Sequence, residues 1–129
     1  MYKVKIFGAG SIGNHLAHAC RNKGWDVLIC DPDAPALKRT QDEIYPLRYG
    51  AWDPGIRLCV NKDCPDENYD LTIIGTPPEH HLPVAADVMK KQQTRAILIE
   101  KPLCTPSLDL ADEVVRLDQY LAAYRVCVK

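Results

Sequence analysis

Gly8-Ala9-Gly10-Ser11-Ile12-Gly13 is the stretch on which the fold turns. A G-x-G-x-x-G run alone says little, so its flanks decide its meaning. Upstream, Val4-Lys5-Ile6-Phe7 reads as a short strand. Downstream, Ile12, Leu16, Ala19 and Cys20 fall at i, i+4, i+7 and i+8, one apolar stripe of a helix. Asn14, His15, His18 and Asn22 take its polar side, and Lys23-Gly24 ends it with a cation and a helix-stopping glycine. The next run, Trp25 to Cys30, leads into Asp31, 23 residues after Gly8. Strand, glycine turn, helix, strand and acid together make the fingerprint of a dinucleotide site. Gly8 permits the tight turn, Gly10 lets the backbone approach a pyrophosphate, and Gly13 allows close helix–strand packing. The helix start at Ser11-Ile12 turns free N–H groups and the positive dipole end toward the phosphates. Asp31 is placed to accept hydrogen bonds from the adenosine ribose hydroxyls.

Outward from this unit the same alternation continues. Leu71-Thr72-Ile73-Ile74 and Ala96-Ile97-Leu98-Ile99 read as strands buried on both faces, with weaker candidates at Ile56–Val60 and Arg125–Val128. Asp33 with Pro35 starts a second helix, a third runs from about His81 to Lys91, and Thr105-Pro106 opens a fourth reaching toward Tyr120. Gln41 to Tyr69 is the least readable part, and the turn-rich Tyr49–Gly55 reads as non-helical, with Trp52 a packing residue. Strand–helix–strand alternation predicts parallel strands with right-handed crossovers, hence a Rossmann-type doubly wound α/β sheet forming one domain over residues 1–129.

Composition narrows the function classes. The chain has 129 residues, 16 basic against 17 acidic, and a net charge of −1. That balance gives no electrostatic footprint for nucleic acid or an anionic membrane. No apolar run approaches the roughly 20 residues of a membrane span. Six cysteines lack any C-x-x-C spacing, and the isolated Cys59/Cys64 pair does not make a zinc site. Reduced thiols in a cytoplasmic protein, with Cys30 and Cys127 as small buried hydrophobes, is the reading they support. His15 and His18 lie three apart on the polar side of the first helix and read as solvated, so no metal is expected. Asp31-Pro32-Asp33 offers two carboxylates and no adjacent arginine, which favours NAD over NADP; Lys38 and Arg39 further along weigh the other way.

Two more motifs lie at carboxyl ends of strands, where open α/β sheets bind ligands. They are Gly75-Thr76-Pro77-Pro78-Glu79-His80-His81 and Glu100-Lys101-Pro102-Leu103. With the glycine loop they make the chain resemble, from Lys3 to Val128, the N-terminal domain of the glucose–fructose oxidoreductase/inositol dehydrogenase (Gfo/Idh/MocA) family. The resemblance implies that Lys101 reaches the nicotinamide and the substrate carbon as the catalytic residue. It implies that Thr76 and Pro77 line the nicotinamide end, that Glu100 sits near the cofactor ribose, and that His81 belongs to the same loop. An ammonium beside a CH–OH oxygen is suited to stabilising the negative charge that develops in hydride transfer. His80 and His81 are adjacent and cannot share one helical face, so at most one faces the cofactor, and His81 is the expected one.

The chain departs from that family at Lys91-Gln92-Gln93-Thr94-Arg95, where relatives place a glycine. Relatives continue into a second α/β domain that carries substrate contacts and the oligomer interface. This chain is expected to be the cofactor domain of an oxidoreductase acting on a sugar- or polyol-like small molecule, binding NAD(H) without turnover on its own. The alternative is a stand-alone dinucleotide-binding regulatory or scaffold module without chemistry. Self-association, a possible homo-oligomer, would follow from apolar surface where a second domain docks.

Overall fold

The computed structural model describes residues 1–103 and Asp118. The expected helix from Thr105 and the strand at Arg125–Val128 lie outside these residues. Five strands, β1 (Lys3–Phe7), β2 (Asp26–Asp31), β3 (Ile56–Val60), β4 (Tyr69–Ile74) and β5 (Thr94–Ile99), form one sheet in the order β3-β2-β1-β4-β5. Every pairing is parallel. Helices α1 (Ser11–Asn22), α2 (Ala34–Arg39), α3 (Tyr45–Tyr49) and α4 (His81–Lys91) make the crossovers. This is the doubly wound Rossmann arrangement. Its chain order reverses between β1 and β4, the position outside whose carboxyl ends open α/β sheets bind their ligands.

Alternation along the strands splits the core between the two faces. Val4, Ile6, Val27, Ile29, Ile56 and Ile73 point to the face covered by α1, α2 and α3. On the other face α4 packs Ala85 and Met89 on Ile74, Ile97 and Ile99. Over β1 and β2 that second face is covered differently. The β3–β4 connection contains a 3₁₀ turn, Asn61–Asp63, in place of a crossover helix. Leu28 and Cys30 are covered by Tyr69, Cys59 and Cys64. Central strand β1 accordingly tolerates Lys5, whose ammonium lies 4.7 Å from the Phe7 ring centre and 5.4 Å from that of Tyr69. Full burial on both faces therefore holds for β2 but not for β1 or β5. At the edge of the sheet formed by the described residues, β5 exposes Arg95, Ala96 and Leu98.

Several local expectations change. The buried face of α1 is Gly13, Asn14, Ala17 and Cys20, whereas Ala19 is exposed. His18 is not simply solvated: it stacks on Tyr49 at 3.7 Å and its Nδ1 lies 3.1 Å from the Tyr45 hydroxyl. The stretch after α2 continues as a wide π turn, Thr40–Ile44, and then as α3, which admits Pro46 in its first turn. Helix formation stops at Gly50, φ +91°, and Trp52 packs edge-on to Tyr45 at 5.3 Å. Gln92 ends α4 with φ +53°, the left-handed position that glycine fills most easily. That is where the sequence lacks the family's glycine.

The amino edge of the sheet is laced by ion pairs. Glu67 accepts from Lys3 Nζ at 2.8 Å, Arg57 at 3.0 Å and the Tyr69 hydroxyl at 2.8 Å. Arg57 also meets Asp26 at 3.2 Å, and Arg95 meets Asp70 at 3.3 Å. These partners hold the Glu67 carboxyl down at about 2, the Lys3 hydrogen bond contributing most. Among the described residues no helix is long and apolar enough to cross a membrane.

Candidate functional site

The carboxyl ends of β1 and β4 are locked together before either loop begins. Gly75 N–H donates to Phe7 O and Gly8 N–H to Cys30 O, both at 2.8 Å. Gly8 has φ +111°, and a Cβ there would stand 2.6 Å from Gly75 O. A Cβ on Gly13 would collide with Gly8 O, so the third glycine is needed to let α1 rise directly over the loop. Gly10 is the contrast, since a Cβ there would meet nothing within 4 Å. The middle glycine faces open space, as it must if a phosphate is to reach the backbone. Ile12 lies against Gly75 and joins the start of α1 to the second loop. No side chain caps the start of α1 at Gly10.

Behind the loop, two polar side chains that look like surface residues in the sequence are fully buried. Thr40 donates to Ala9 O at 2.8 Å, while Asn14 Nδ2 donates to Gly10 O at 2.8 Å and to Thr40 Oγ1 at 3.1 Å. The Ala9 and Gly10 carbonyls are thus held by side chains from behind, while no side chain caps the start of α1. Asn14 is corrected from the solvated side of α1 to this internal brace. Arg48, on α3, adds a cation at the rim, donating to Ser11 O at 3.0 Å and to Ser11 Oγ at 2.7 Å.

Asp31 ends β2 with both carboxylate oxygens engaged. Oδ2 accepts from Ala9 N–H and Oδ1 from Asp33 N–H, each at 2.9 Å. It lines a cavity of about 410 Å³ together with Asn61, Thr76, Pro77, His80 and Val84. Thr76 Oγ1 is buried there without a hydrogen-bond partner among the described residues. An uncapped helix start, an open middle glycine, a fixed carboxylate and an unpartnered buried hydroxyl are what a dinucleotide would satisfy, so the residues fit that group. Lys38 lies beyond the cavity lining and pairs with Asp42 at 3.1 Å on an exposed face.

The two histidines take the reverse of their expected parts. His80 lines the cavity and is exposed. His81 is fully buried, with Nε2 2.6 Å from Thr76 O and Nδ1 2.7 Å from Pro102 O. It ties the loop after β4 to the turn after β5 from behind. The turn register sets this: His80 closes the 3₁₀ turn Pro78–His80 and His81 is the first residue of α4, rotated inward. Glu100 N–H donates to Ile74 O at 3.0 Å, so Glu100 begins where β5 leaves the sheet, and Lys101 follows it exposed. Sequence reasoning missed Asn61, Thr40 and Arg48, which carry no motif and come from the segment whose elements are hardest to read.

The comparisons agree with this geometry. A family described as "Oxidoreductase family, NAD-binding Rossmann fold" (GFO_IDH_MocA) matches residues 2–123. A "Glycosyl hydrolase family 109 protein" of Shewanella pealeana is 29% identical over 109 residues, 78% of this chain and 23% of that protein. The chain thus spans about a quarter of the length of such relatives. The fold resembles that of myo-inositol 2-dehydrogenase from Lactobacillus plantarum, with TM-score 0.63 and 22% identity, covering 96% of this chain and 33% of that one. It also resembles malate dehydrogenase from Plasmodium falciparum in complex with NADH, at TM-score 0.57 and 15% identity, over 79% of this chain and 36% of that one. With its model matched across nearly the whole chain, the family is established: this is an NAD-binding Rossmann domain of the Gfo/Idh/MocA oxidoreductases.

Proposed function

We propose that this chain is the cofactor-holding part of an enzyme that moves a hydride between NAD and a CH–OH carbon of a sugar- or polyol-like substrate. Family membership favours this over a binding module without chemistry. The observation that carries the reading is the Asp31 carboxylate, bonded to the glycine loop through Ala9 N–H and facing the cavity. In this reading the N–H groups at Gly10, Ser11, Ile12 and Gly13 bind the pyrophosphate, with the Arg48 guanidinium adding charge at Ser11. Asp31 accepts from the ribose hydroxyls through its remaining lone pairs. Thr76 and Pro77 face the nicotinamide end, Glu100 stands by the ribose of that half, and Lys101 stabilises charge on the substrate oxygen. When bound, the dinucleotide supplies the hydride acceptor. His81 is a positioning residue, fixing the Thr76 loop and the Lys101-Pro102 turn against each other.

NAD is preferred to NADP because Asp31 and Asp33 would face a 2′-phosphate, and Lys38 is engaged with Asp42. We also place the protein in the cytoplasm, where thiols stay reduced. Titration of the chain with NADH and with NADPH, followed by nicotinamide fluorescence, tests the cofactor. NADH should bind at least tenfold tighter, and Asp31→Asn should bring the two to nearly equal affinity, a change of about 1.4 kcal/mol for a tenfold preference. Equal affinities in the wild type, or no binding of either, would overturn the assignment.

The glycosyl hydrolase name borne by a relative supports a second reading, in which hydride removal activates a sugar for C–O cleavage and is then reversed. NADH accumulating in step with product marks net oxidation. Product without NADH marks hydrolysis.

A further inference from the structure

We propose that Cys30 and Cys64 are a thiol-oxidation site, closing to a reversible intramolecular disulfide beside Asp31 and the Asn61 turn, both of which line the cavity. The two sulfurs lie 2.8 Å apart although their residues are 34 positions apart in sequence. A disulfide bond is about 2.0 Å long, so closure requires a movement of under about 1 Å. Cys30 is the last β2 residue before Asp31 and is fully buried. Cys64 follows the 3₁₀ turn carrying Asn61, which lines the cavity, and is only half-buried. The site exists because no helix crosses this part of the sheet, which lets a connection bring a thiol to the strand while leaving it open to solvent. The inference stands on the thiol geometry and is independent of dinucleotide binding.

The co-reactant is a small-molecule disulfide such as glutathione disulfide. Cys64 gives up its proton and attacks one sulfur of the reagent, forming a mixed disulfide and expelling one thiol. Cys30 then gives up its proton and attacks Cys64 Sγ, forming the protein disulfide and expelling the second thiol. Two protein thiols lose two electrons and two protons, and the reagent gains both as two thiols. This order follows from access, because burial pushes the Cys30 thiol well above its ordinary range and makes it the resolving group. Cys59, the β3 register partner of Cys30, is the competitor, and its thiol too is raised, chiefly by burial.

Trypsin separates all three cysteines, into Gly24–Lys38, Leu58–Lys62 and Asp63–Lys90. The reduced chain is incubated with excess glutathione disulfide, blocked with N-ethylmaleimide and mapped without reductant. The expected product is Gly24–Lys38 joined to Asp63–Lys90 within one chain, split again by dithiothreitol. Oxidised chain should also unfold several degrees above reduced chain, as a cross-link over this span does. Cys64→Ser should lose the joined peptide and Cys59→Ser should keep it. Free Cys30 after oxidation, a stable glutathione adduct on Cys64, or Leu58–Lys62 in the joined species would each overturn the proposal, and the wild-type map alone decides it.

Discussion

The two rims of the candidate site are built on opposite plans. The β1 rim acts through backbone, and its shape comes from places where side chains are absent: Gly8 against Gly75, Gly13 against Gly8 O, and Gly10 against open space. The β4–β5 rim acts through side chains held by a remote clamp, with buried His81 bonded to Thr76 O and Pro102 O. A glycine rim is written in consecutive residues and tolerates almost no added atoms. A clamped rim is written in residues 76, 81 and 102, and its failure loosens the turn without filling the site. Under the proposed function, the difference would make affinity and chemistry separable, with cofactor grip on one side and placement of Lys101 on the other.

The sharpest attack on this contrast is Gly13→Ala. The added methyl meets Gly8 O, and the forced shift should cost about 3 kcal/mol and remove NADH binding. Urea unfolding and fluorescence titration measure both. Retained binding would mean that the loop is not the rigid half. His81→Leu should cost about 2 kcal/mol by removing the imidazole that sits between the Thr76 and Pro102 carbonyls and donates to one of them. It should change NADH affinity by less than threefold while lowering kcat in the complete enzyme. A loss of affinity equal to that in Gly13→Ala would erase the distinction between the rims. The smallest effect comes from Glu67, which serves both rims equally from the amino edge of the sheet. Its folded carboxyl titrates at about 2, below its unfolded value of 4.5. Its stabilisation is therefore complete above pH 4.5 and is lost as the pH falls toward 2. Allowing for its partial exposure, the loss is on the order of 1 kcal/mol. Acid titration of unfolding free energy should show that slope in wild type and not in Glu67→Gln.

Legibility in the sequence follows the same divide. The strands, α1, the full span of α4 and the glycine loop with Asp31 are readable because their determinants are periodic or adjacent. Asn14 is not: a polar residue predicts solvent, and only its hydrogen bonds to Gly10 O and Thr40 make burial affordable. Periodicity says that one of His80 and His81 turns inward, but the 3₁₀ turn before α4 decides which. Gln41 to Tyr69 carries no clear pattern, yet the π turn Thr40–Ile44 leads directly into α3 with Pro46 in its first turn. The helix missing between β3 and β4 has no motif at all, yet it brings Asn61 to the cavity and Cys64 to Cys30.

The Asp31 carboxylate is held at both oxygens by main-chain donors, so the acid is already immobile when a nucleotide arrives. No rotamer has to be frozen on association, and the conformational entropy that a flexible surface aspartate would lose was given up during folding. In the proposed site the same rigidity would keep the carboxylate from swinging aside for a bulkier, charged ribose, so that discrimination would rest on stiffness as much as on sign.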